Sequence, residues 1–162
     1  MIMVSDNPRV STLLMQLTWI LGGVGFWNGF DALNTGDLPA AIQSVAVWAV
    51  GGVGLVSFIR HAVFHRSDAV RMGWDLGQRN DFQIEVGFAN LAWGIVALVA
   101  WVKGWGTLVL GSLVLMFGIY MLQAAVLHWL ELRQSKRRRI TSHLASSVFA
   151  VCLLWFGILA LS

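Results

Sequence analysis

The 162-residue chain is 57% hydrophobic and only 12% charged, with a mean hydropathy of +0.72. An average soluble domain carries about twice that share of charge, so a water-soluble globular class is excluded. The single cysteine, Cys152, excludes an internal disulfide and any paired-cysteine metal or redox motif.

A bilayer core about 30 Å thick needs roughly 20 apolar residues in a helix. The first such run covers about residues 12–30 (TLLMQLTWILGGVGFWNGF). Only Arg9 precedes it as a basic residue and no A-x-A site follows, so it reads as a retained helix rather than a cleaved signal. Asp31, Asn34, Gly36, Asp37 and Pro39 then mark a turn. A second span is predicted over about 40–64. Residues 67–76 alternate charged and apolar positions, and a short helix lying on the membrane surface is expected there. The third and fourth spans cover about 82–102 and 107–130. The short Lys103–Gly106 link forces them into an antiparallel hairpin. A fifth covers about 142–161. The expected fold is therefore all-α: one membrane domain over 1–162, a polytopic bundle of five transmembrane helices.

Charge sets the orientation. With five spans and a cytoplasmic N-terminus, ten of the eleven Lys and Arg residues fall inside and Lys103 alone falls outside. This is the distribution of the positive-inside rule, and it places the chain in the cell (inner) membrane with its C-terminus outside. Arg137, Arg138 and Arg139 then face anionic headgroups. That explains the basic pI without nucleic acid as a partner. Trp27, Trp101 and Trp105 mark one interface, Trp74 and Trp129 the other. Glycines recur inside the spans, including a Gly25-x-x-x-Gly29 pair. Small residues let membrane helices approach closely, within one chain or between copies.

Drawn on this topology, the ionisable residues gather at one level. His61 and His65 close the second span, and Glu85 opens the third with Asn90 deeper. His128 and Glu131 close the fourth, and His143 opens the fifth. Residues three or four apart share a helix face, so His61 with His65, and His128 with Glu131, each project together. Imidazole and carboxylate suit iron, zinc or copper, and a haem takes histidine as an axial ligand. In that reading His61, His65 and His128 are metal ligands. Glu85, Asn90 and Glu131 bind the cofactor or support its ligands, and the chemistry is that of a membrane oxidoreductase. The plainer reading is a polar cluster satisfied at the interface, in a structural or interaction subunit of a homo-oligomer or larger membrane complex. A third is a pocket for a lipid, quinone or small solute. Asn80 and Gln83 offer a helix cap just before Glu85. Asn90, between Gly87 and Gly94, needs a partner from another helix or a ligand.

The stretch FQIEVGFANLAWGI, Phe82 to Ile95, resembles the signature of an uncharacterised family of small bacterial and archaeal multi-pass membrane proteins. Those proteins also carry a histidine-bearing helix end before the motif and a further His matching His128. The likeness covers about the second to fifth helices. It implies a polytopic membrane fold and no particular activity.

Overall fold

The computed structural model describes residues 5–73, 77, 79–134 and 140–162, and only the backbone of residues 131–134, 141 and 142. The described residues form helices joined by short turns: α1 (Pro8–Asn34), α2 (Leu38–Val63), α3 (His65–Met72), α4 (Asp81–Val102), α5 (Thr107–Gln134) and α6 (Ile140–Leu159). Each boundary has a local cause. Asn7 and Asp37 accept from the backbone N–H of Arg9 and Ala40, ahead of Pro8 and Pro39 in the first turns of α1 and α2. Asn80 accepts from the N–H of Gln83 at 3.0 Å, the cap expected for α4. Gly104 and Gly106, both with positive φ, make the tight link from α4 to α5.

Among the described residues, four helices are long and apolar enough to cross a bilayer: α1, α2, α4, and α5 from Thr107 to Leu130. The last, α6, has 20 residues, a length of about 30 Å, and its described part His143–Leu159 forms a shorter apolar helix. Large apolar side chains cover the outside of the bundle. Leu13, Ile20, Trp27, Phe88, Leu108, Leu127, Val148 and Ile158 are all exposed, whereas the core is rich in Ala and Val. A soluble monomer rarely exposes apolar surface so continuously; a lipid-facing bundle does.

Small residues decide how the helices meet. A Cβ at Gly54 would lie 2.6 Å from the carbonyl oxygen of Asn90 and 2.9 Å from Gly94, and one at Gly87 would lie 2.7 Å from Ala62. The backbones of α2 and α4 therefore touch along most of their length. Gly25 and Gly29 pack within the chain, against Trp48 and Ala49 and against Val45 and Phe156. An aromatic seam, with Trp19 and Phe26 on Phe149 and Phe30 on Phe156, joins α1 to α6.

The α5–α6 hairpin meets α2 chiefly along Leu38–Gly52. Beyond that, toward the end of α2, the hairpin parts from α1, α2 and α4. The second helix is π-helical over two stretches, Val45–Gly52 under the hairpin and Ile59–Val63 at the parted end, a feature often found where a helix wall is modified for function.

Candidate functional site

The site begins where α2 stops. The Phe64 N–H closes a wide turn on the Ile59 carbonyl at 2.9 Å, and Phe64 leaves helical geometry at φ −103, ψ 34. The chain then folds α3 back onto the start of α1. Ser67 fastens it there. Its hydroxyl donates to the Asn7 carbonyl at 2.6 Å and accepts from the Ser11 N–H at 3.0 Å. The expected surface helix thus turns Ser67, Asp68 and Ala69 into the protein; residues 74–76, including Trp74, lie outside the described residues.

Asp68, 1% exposed, is the hub. Its Oδ1 accepts from the Ser11 hydroxyl, from Arg71 Nε at 3.1 Å and from Arg71 Nη2 at 2.9 Å. Its Oδ2 accepts from Gln83 Nε2 at 2.7 Å. His61 Nδ1 lies 3.0 Å from the same oxygen, off hydrogen-bond alignment. Burial alone pushes the Asp68 pKa up, but the His61 contact and the charges of Arg60 and Arg71 overcome it and hold the carboxyl below its ordinary range. Arg60 Nη2 donates to His61 Nε2 at 2.6 Å. A guanidinium cannot accept, so that ring nitrogen carries no proton and His61 is the neutral tautomer protonated on Nδ1.

This cluster forms one wall of a cavity of about 450 Å³ that also reaches Ser57, Asn90, Tyr120 and His128. The rest of the lining mixes apolar side chains, Trp19, Met121 and Phe149 among them, with Gln123, His143 and Ser146. Asn90 Nδ2 donates to its own helix at Val86 O, 2.8 Å, and to the Tyr120 hydroxyl at 3.3 Å. Phe82 on α4 and Leu127 on α5 line the cavity yet are largely exposed. The cavity is therefore open to the outside of the bundle at these residues.

The predicted residues divide. His61, Asn90 and His128 line the cavity. His65 turns its Nδ1 to the Ala62 carbonyl at 3.2 Å and does not line it. Glu85 is exposed, on the side of α4 away from Gln83 and Asn90. His143 lies beside His128, ring centres 5.9 Å apart, and also lines the cavity. The Glu131 side chain and Arg137–Arg139 lie outside the described residues. Among the described residues no three His, Cys, Asp or Glu side chains are grouped closely enough to hold a metal ion.

Sequence reasoning missed Arg60, Asp68, Arg71 and Gln83. A signal existed: Asp68 and Arg71 are three apart on one helix, an ion-pairing spacing. Gln83, Gly87, Asn90, Gly94 and Ala97 also form one buried stripe of α4.

Residues 31–161 match the model of one protein family, described as a family of unknown function (DUF6790). The match spans most of the chain, and the chain belongs to that family. No curated protein and no solved structure matches it.

Proposed function

We propose that this DUF6790 member is a five-span protein of the cell membrane that binds one amphiphilic small molecule from the bilayer. The observation that carries the reading is the cavity: its lining joins Arg60, His61, Asp68 and Gln83 to apolar Trp19, Met121 and Phe149, and two of its lining residues, Phe82 and Leu127, are largely exposed. Ligand pockets are concave and mostly apolar, with a few converging polar groups, and range over about 300–1,000 Å³. A molecule with an apolar body enters between α4 and α5 without crossing water. Its head then meets Arg60, His61 and Gln83, and its body lies along Trp19, Met121 and Phe149. In the proposed orientation the N-terminus and this polar wall lie toward the cytoplasm, and α6 completes the bundle as a fifth span.

Native mass spectrometry of protein released from mild detergent tests the reading. The expected spectrum carries one additional mass of lipid size per chain. That mass is lost in Ser57→Leu, which fills the cavity from a buried wall position. No retained mass, including after incubation with a total lipid extract, overturns the reading.

A further inference from the structure

Within the cavity the charges do not balance. Asp68 is the one carboxylate among its described lining residues, facing two arginines, Arg60 and Arg71. Arg71 takes most of it, placing Nε and Nη2 on the same oxygen. Arg60 stands off at 3.8 Å and spends Nη2 on the neutral ring of His61. Its Nε is buried without an acceptor. Across the cluster, Gln83, 5% exposed, gives its amide nitrogen to Asp68 and leaves Oε1 buried with no donor. An unmatched buried cation and an unmatched buried acceptor are both costly, and a ligand head satisfies both.

We infer that the cavity selects an amphiphile whose head carries an anionic oxygen for Arg60 and an adjacent O–H donor for Gln83 Oε1, the chemistry of a phosphate monoester. The inference rests on the amphiphile reading and narrows it to a head group. Asp68 already accepts from Ser11, Arg71 and Gln83 and its charge repels a second anion, so the head sits against Arg60. Tyr120 completes the pocket more deeply. Its hydroxyl accepts from Asn90, which leaves its own proton for a second oxygen of the ligand.

The test is a probe series on the full chain in a neutral maltoside detergent at pH 5.5, where a phosphate monoester retains one P–OH. Dodecyl phosphate, its methyl diester, dodecanol and inorganic phosphate are compared by titration calorimetry. Dodecyl phosphate is expected to bind at least tenfold tighter than dodecanol, with the diester between them and inorganic phosphate far weaker. Arg60→Gln is expected to erase the preference over dodecanol while dodecanol still binds. Should that variant fail to fold, the wild-type series decides alone. Equal binding of dodecanol and dodecyl phosphate overturns anion selection and leaves the amphiphile reading standing. A diester equal to the monoester overturns the donor to Gln83. Inorganic phosphate binding as tightly as dodecyl phosphate identifies a soluble oxyanion as the source and overturns the amphiphile reading instead. No binding by any probe overturns both.

Discussion

Arg71 directs two N–H groups at a single oxygen of Asp68, Nε at 3.1 Å and Nη2 at 2.9 Å. The other oxygen is left to Gln83 at 2.7 Å. One buried carboxylate thereby ties α3 to α1 through Ser11, to α4 through Gln83 and to the end of α2 through His61. Removing one member of a buried charge cluster strands the others and costs about 3–5 kcal/mol. Asp68→Ala is expected to destabilise the folded protein on that scale, read as a lower thermal unfolding midpoint in detergent. Asp68→Asn, which keeps acceptor capacity, should fall between. An unchanged midpoint for Asp68→Ala would remove the cluster from the fold's stabilising contacts.

The same carboxyl predicts an acid limb. Its pKa in the folded protein lies below the ordinary 3.8. The stabilisation it contributes is therefore complete above that value and is lost as pH falls further. Unfolding midpoints measured down the acid range should drop below about pH 4. The drop should be shallower in Asp68→Asn, and identical slopes for the two proteins would contradict the assignment.

Contact between α2 and α4 depends on Gly54. A methyl group there would meet backbone atoms, Asn90 O at 2.6 Å and Gly94 Cα at 2.9 Å, which no rotamer change relieves. Gly54→Ala should destabilise by about 1–3 kcal/mol. Gly23, with nothing within 4 Å of its would-be Cβ, is the control. Gly23→Ala should be neutral or stabilising by up to about 1 kcal/mol. Parallel thermal melts decide, and similar losses at both sites would mean that backbone approach is not the cause.

Asn90 and Tyr120 give a pairwise prediction. Interhelical hydrogen bonds in membranes average about 0.6 kcal/mol and reach about 1.7 kcal/mol. A double-mutant cycle of Asn90→Leu and Tyr120→Phe should return a coupling in that range. Strict additivity would show that their 3.3 Å contact contributes nothing.

Topology is open to labelling. With Cys152 replaced, single cysteines at Lys103 and Ser162 should react with an impermeant maleimide from the outside of whole cells, and one at Arg79 only after lysis. A cysteine at Ser162 that behaves like the one at Arg79 would mean that α6 does not cross.

Hydropathy along the chain carries depth, and depth is what the sequence determined. The helical membrane class, four apolar helices of spanning length, the Asn80 cap and the meeting of His61, His128 and His143 at one cavity follow from residue order, because partition into lipid and helical rise are local properties. Azimuth was only half written. Gln83 and Glu85 are two residues apart and so point to opposite sides of α4; the stripe through Gly87 and Asn90 shows which side is inward. Which helix that stripe would face was decided by the close approach of Gly54 to Gly94. Tertiary structure alone turned Asp68 inward. Its burial depends on a break at Phe64, on Ser67 meeting the first turn of α1, and on Ser11 waiting there, some 57 residues away in the chain. A buried charge is tolerated only once its partners are assembled around it, and that assembly exists only in the folded protein.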